Sequence, residues 1–355
     1  MADLHLSFAI APYDRVMPLI TGEVKPLGIT LDFWGAGQGQ GNPFYDQIKF
    51  QRWDVSEMSM SSFLRMRPTG WGYRMLPIFH NRNFSWTNIR IRNGSGIRQG
   101  HPEDLKGKRI GIADYQMSLG LWTRGILQLE FGVKPEDMIW YQERSEHFSH
   151  TGASGAAAGL GVPKNVELHY ATTDFNTMFL KGELDAATGL SMLIGRGGGE
   201  GRQSSALSGI GRMQADLSAK QDLIQLLFPD PRQEATRFYK KTGVYPPNHC
   251  TVIRESILEH YPWAAVSLMD AFEEAKRLAI ERQHQNLPTL MVFGQQYFKE
   301  LGELFGNDPF PYGLKANAKA FDMAQTFSLQ QGLTERKQTL EEIFPEEILF
   351  REERA

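Results

Sequence analysis

Three arginines, a cluster of serines, one glutamate and one histidine are the residues of this chain best suited to handling an organic acid. Arg15, Arg82 and Arg124 each carry a planar fork of donors that can grip a carboxylate in bidentate fashion. Ser59, Ser61 and Ser62 lie close together and can donate hydrogen bonds to the same kind of group. Glu57 and His249 can exchange protons near neutral pH if a cleft shifts their ionisation. Gln116 and Ser118 follow a strand-like run at 109–113 and add donors beside the backbone N–H groups that a helix start leaves unpaired. Such a set fits recognition of an anionic substrate combined with acid–base chemistry. Each member also has a structural alternative: Glu57 can pair with a nearby arginine, and His249 can satisfy a buried backbone group.

The elements that must position these groups read as alternating strands and helices. Leu4, Leu6, Phe8 and Ile10 alternate with polar or small residues, which predicts a first strand with one buried face. Further strands are expected at 29–34, 54–58, 74–79, 86–92, 109–113, 166–170, 184–188 and 250–254. After 109–113, Asp114 can cap a helix whose stripe is Leu119, Trp122, Ile126 and Leu129, with Gly132 ending it. A second helix is expected over 172–182, and Trp263, Val266, Met269, Phe272, Ala275 and Ala279 form a strong stripe on a third. More helix follows, broken at 307–313. The order predicts an α/β chain of two lobes joined by two crossing strands and closed by a helical tail. Residues 1–95 with 250–355 would form one lobe and 96–249 the other, with a ligand between them. The segment 86–92 is expected to be one strand passing between the lobes. The turns after Ile10, Val55, Phe79, Ala113 and Pro247 are then the candidate walls of the cleft.

Composition narrows the partners. Net charge is −3 over 355 residues, so no basic field exists to draw in nucleic acid. No apolar run reaches the length that spans a bilayer. Cys250 is the only cysteine and the start of the chain reads as a strand rather than a signal peptide, which places the protein in the cytoplasm. A small molecule is the expected partner, and a homo-oligomer stays open. The glycines at 35–42 miss the dinucleotide fingerprint, those at 195–201 lack the P-loop Lys-Ser/Thr, and Gly152-Ala153-Ser154-Gly155-Ala156 misses the nucleophile elbow. Cys250 and His249 are adjacent on a strand and point to opposite faces, so they are no nucleophile pair. Glu143, His147 and His150 would share a face if helical and could hold a divalent metal, although the glycine-rich flank favours a solvated loop.

Several stretches together resemble the 4,5-dihydroxyphthalate decarboxylase family, which has the type 2 periplasmic-binding-protein fold. They are 13–15 with 22–29, then 54–63, 105–133, 249–254, 260–263 and 308–314, and the resemblance runs over nearly the full length apart from about 140–216. Arg82 and Phe84 match the family, but Ser85-Trp86 stand where an Arg-His pair is expected, and the glycines near Gly195 also depart. The resemblance implies non-oxidative loss of CO2 from a hydroxylated aromatic acid, with His249, Glu57 and Arg82 catalytic. It implies that Arg15, Ser59, Ser61, Ser62, Tyr115, Gln116, Arg124 and Trp86 bind the substrate. No organic cofactor is called for, since a phenol can push its own electrons, and a divalent metal stays open. The alternatives are a sensor that binds such an acid without turnover, or an enzyme of the same fold acting on a non-phthalate acid, which Ser85-Trp86 would favour.

Overall fold

Two parallel-cored sheets carry the chain, and the computed structural model describes residues 3–35, 43–145, 149–154, 163–188, 222–285 and 291–354. In the first sheet β1 (Leu4–Ile10) lies between β2 (Ile29–Gly35) and β3 (Val55–Ser59), parallel to both. Next come β11 (His249–Arg254) and the edge strand β4 (Tyr73–Phe79), with β11 antiparallel to both its neighbours. The remaining strands are β5 (Arg90–Arg92), β6 (Arg109–Ile112), β7 (Ile139–Gln142), β8 (Glu167–Tyr170), β9 (Ala186–Thr188) and β10 (Ile224–Leu226). They make the second sheet in the order β10-β5-β9-β6-β7-β8, parallel from β9 to β8. β3 is buried along its whole length, as expected of a central strand covered on both faces. This is the expected two-lobed α/β architecture with a helical C-terminal tail.

The chain crosses between the lobes twice, and the two crossings pair with each other. Asn248 N donates to Asn81 O at 2.7 Å, Asn83 N to Pro246 O at 3.0 Å, and Arg82 and Pro247 form an antiparallel bridge. Of the expected strand over 86–92, only Arg90–Arg92 is extended, and Ser85–Asn88 is a 3-10 turn. The Thr87 hydroxyl holds that turn by donating to Phe84 O at 2.8 Å. β5 pairs within the second sheet, so the first lobe's strands end at Phe79, and His249 belongs to the first sheet rather than the second.

The helix Ser118–Phe131 buries Leu121, Trp122, Ile126 and Leu127, while Leu129 is 55% exposed. The stripe is therefore turned from the expected one, because two layers cover this helix: its own sheet and the tail helix Leu314–Gln330. The approach is close at Gly125, where an added Cβ would lie 2.2 Å from the Phe327 ring. Gly125→Ala is expected to overpack this contact and cost about 1–3 kcal/mol, read as a lowered Tm. The tail helix also packs on Met60–Met66, the helix after β3. One apolar core consequently runs from Met58 and Phe63 through Trp122 and Trp140 to Phe321 and Phe327. A second core under the first sheet joins Phe8, Val55 and Ile253 to Leu268 and Phe272 of the long helix Ala264–His284. Among the described residues no helix is long and apolar enough to cross a membrane.

Candidate active site

Glu57 is a carboxylate set in a strand that is buried along its whole length, and its hydrogen bonds explain how it is tolerated there. Ala11 N donates to Oε2 at 3.0 Å, while the Tyr13 hydroxyl and His249 Nδ1 meet Oε1 at 2.6 and 2.5 Å. These come from the end of β1 and the start of β11, the neighbours of β3. Burial pushes this carboxyl up, but His249, His80 and the Tyr13 hydroxyl together outweigh it and hold the group down at about 2. Tyr13, in contrast, is driven well above the ordinary phenol range by burial and by the charge of Glu57. His80 stacks on the Tyr13 ring at 5.7 Å and 6° and bonds the Thr251 hydroxyl at 2.6 Å. Its burial holds it down at about 3, so it stays neutral. His249 Nε2 makes no hydrogen bond among the described residues, and the side chain is 21% exposed.

The serines form the seam between the lobes. Ser59 caps the helix Met60–Met66 by accepting from Ser62 N. The Ser59 hydroxyl meets the Ser118 hydroxyl of the other lobe at 2.9 Å, and Ser61 N donates to Ser118 Oγ at 3.0 Å. Ser62 Oγ lies 2.7 Å from His150 Nδ1, and Arg65 donates to Gln116 Oε1. The Ser61 hydroxyl is buried without a partner among the described residues. His150 is anchored in turn by its own N–H on Asp114 Oδ2 at 2.8 Å, with Arg144 3.6 Å from the same carboxylate. Phe44, from the helix Pro43–Phe50, faces both histidines edge to face, at 4.8 Å from His249 and 5.9 Å from His150. The ends of β1, β3, β6 and β7 thus converge on one place, as open α/β sheets require of a site.

The structure brings Glu57, His249, Ser59, Ser61, Ser62 and Gln116 together there and places the other expected residues elsewhere. Arg15 lies behind Tyr13, over the Phe310 ring at 4.0 Å, and spends its donors on His80 O and Asp14. Arg82 is a clamp: Nη1 donates to Tyr245 O at 2.8 Å, and Nη2 to Pro311 O and Asn317 Oδ1 at 2.9 and 2.5 Å. It ties the crossing segments to the tail. Arg124 is fully buried, 3.7 Å over the Tyr115 ring with Nε on Gln331 Oε1 at 2.8 Å, so both it and Tyr115 belong to the core of the second lobe. Trp86 is also core, against Phe238 at 4.7 Å, with its N–H on Glu234 Oε1 at 3.1 Å. These corrections share a cause, since side chains long enough to reach a ligand are also long enough to fill a core.

Of the possible metal set, Glu146 and His147 lie outside the described residues, as do the glycines at 36–42 and 195–201. Glu143 and His150 diverge. Burial pushes the Glu143 carboxyl up to about 7, against the Phe175 N–H that pulls it down. Because this value lies above the ordinary 4.5, the stability Glu143 contributes is full below pH 4.5 and is lost as pH rises towards 7. Glu143→Gln is expected to flatten that part of the stability curve, gaining on the order of 3 kcal/mol at pH 8, measurable by urea unfolding at several pH values.

No family model matches the chain. A 4,5-dihydroxyphthalate decarboxylase of Comamonas testosteroni is 28% identical over 349 residues, covering 97% of each chain. A 4,5-dihydroxyphthalate decarboxylase of Pseudomonas putida is 34% identical over 192 residues, 53% of this chain and 71% of that one. The chain belongs to the 4,5-dihydroxyphthalate decarboxylase family. Its fold is shared with the periplasmic sulfonate-binding protein SsuA from Methylobacillus flagellatus KT, at a TM-score of 0.55, 11% identity and coverage of 100% and 95%. SsuA from Escherichia coli, a periplasmic aliphatic sulphonate binding protein, gives 0.52 at 12% identity over 98% and 100%. The family's two-sheet, two-lobed frame accounts for why residues so distant in sequence as Tyr13 and His249 meet. Six members of the site were not singled out as site residues from sequence: Tyr13, Phe44, Arg65, His80, Arg144 and His150. Tyr13 stood inside a stretch carrying the family resemblance, and His150 inside the possible metal set. Phe44 and His80 carry no local signal.

Proposed function

We propose that this chain is a carboxy-lyase that removes CO2 from a hydroxylated aromatic, phthalate-like acid. The observation that carries the reading is the Tyr13–Glu57–His249 chain at the strand ends, and the family's decarboxylases support it. Glu57 accepts from Nδ1 of His249, which orients the ring so that Nε2 faces the ligand and can act as base. It takes the proton of a ring hydroxyl para to the departing carboxylate. The phenolate electrons then move to the carbon bearing that carboxylate, which takes up a proton that originates in solvent, and the imidazolium returns its own proton to the ring oxygen once the ring is restored. The carbon–carboxylate bond breaks, CO2 leaves, and its bonding electrons restore the aromatic ring. The phenol supplies the electron push, so the step balances without an organic cofactor. Glu57 offsets the charge of the imidazolium formed on the way. The seam of serines and the Arg65–Gln116 bond draw the lobes together over the ring, which excludes water and strengthens these contacts.

Arg65, which donates to Gln116 beside the serine cluster, is a guanidinium that can offset substrate charge. The test is mass-spectrometric: 4,5-dihydroxyphthalate and related aromatic acids are incubated with the protein in heavy water. The expected product is the acid less CO2, with one deuteron at the vacated ring carbon. Intact acids throughout, with one of them bound saturably, would replace the lyase by a sensor.

A further inference from the structure

The hydrogen bonds around the two histidines have a direction, and they run opposite ways. Arg144 Nη1 lies 3.3 Å from His150 Nε2, and a guanidinium can only donate, so Nε2 accepts. A neutral imidazole then carries its single proton on Nδ1, which donates to Ser62 Oγ at 2.7 Å. Burial keeps His150 in that neutral form, at about 4. The Ser62 hydroxyl therefore already accepts a bond and makes no other side-chain contact among the described residues, so its own proton is left to donate. Across the site the order is reversed. The Glu57 carboxylate only accepts, so it takes the Nδ1 proton of His249, and Nε2 is the nitrogen turned to the ligand, where the imidazole form of the ring accepts. The Phe44 ring is shared by both histidines and gives the space between these two ends an apolar, aromatic wall.

We propose that the site is polarised by these two relays and reads its ligand end to end. His249 takes a ring hydroxyl as donor, and Ser62, set by His150 and Arg144, donates to a carboxylate oxygen on the same ring. The assignment rests on the decarboxylase reading and deepens it. It makes Ser62 a specificity-determining contact, and His150 and Arg144 positioning residues that act through it. A ligand with only hydroxyls would engage the His249 end alone, and one with only carboxylates the Ser62 end alone.

Three probes separate the ends: catechol with hydroxyls only, phthalate with carboxylates only, and 4,5-dihydroxyphthalate with both. Binding of each to the full chain is measured by calorimetry for the wild type and Ser62→Ala, and CO2 release from the third is followed in parallel. Ser62→Ala is expected to weaken phthalate and raise KM for dihydroxyphthalate about tenfold, while catechol binds as before and reports an intact fold. Arg144→Met, which frees the tautomer of His150 without touching Ser62, is expected to give the same selective loss. A Ser62→Ala chain that loses catechol and phthalate equally, or neither, overturns the polarity; if its wild type still releases CO2, the lyase stands without it. A wild type that binds phthalate through Ser62 and catechol independently of it, yet releases no CO2, upholds the polarity and removes the lyase.

Discussion

Glu57→Gln is expected to lower kcat for CO2 release by about 10²–10⁴-fold in a chain that still folds. The amide has nearly the shape of the carboxylate but only one accepting oxygen, whereas Ala11 N, the Tyr13 hydroxyl and His249 Nδ1 all point donors at it. One donor must be given up, and the NH2 group favours the His249 tautomer with its proton on Nε2. That removes the lone pair the substrate hydroxyl needs. KM should move less than kcat, because the groups that hold the carboxylate are untouched. The variant has a second reading that does not depend on turnover. Glu57 is held at about 2, below its ordinary 4.5, so the stability it contributes is present above pH 4.5 and is lost as pH falls towards 2. Glu57→Gln should flatten that acid limb of the unfolding curve. A kcat within fivefold of the wild type would remove Glu57 from the reaction, whatever the acid limb does.

Trp86→His is the change that would supply the histidine expected here from the sequence resemblance, and it is expected to bring no gain. Trp86 is fully buried between Phe84 and Phe238, and its indole N–H satisfies Glu234. An imidazole there leaves a cavity and part of a hydrogen bond unmade, at a cost of about 3–5 kcal/mol, and it points into the core instead of the site. The outcome to look for is a sharply lowered Tm with no gain in phthalate turnover. A stable variant that turned over phthalate faster would place this residue against the substrate and revive an enzyme evolved for a different acid.

The alternation of strands and helices and the helical tail were legible because burial imposes periodicity, and a strand such as β1 states its own pattern locally; the crossing expected at 86–92 falls instead at 81–83 and 246–248. Glu57, His249 and the serines were legible for a related reason: a charged or small polar residue at the end of an apolar run stands out. Arg82, Arg124 and Trp86 misled because residue type says what a side chain can do and not which way it faces. Only pairing partners far off in sequence, such as Asn317 for Arg82 and Gln331 for Arg124, decide that. His150 was visible only as a possible metal ligand, since the partner that orients it, Ser62, sits 88 positions earlier. The seam residues could not be paired with one another before the two sheets were set face to face.

The tail helix Leu314–Gln330 rests on both Ser118–Phe131 and Met60–Met66, so a single apolar core spans the two lobes. A transport receptor reports occupancy by changing shape, which requires that the ligand itself supply the free energy of closure. Here the chain's own side chains supply much of it. On the lyase proposed above, binding energy from the ring and its carboxylates is then not consumed in drawing the halves together, and it remains available for the transition state.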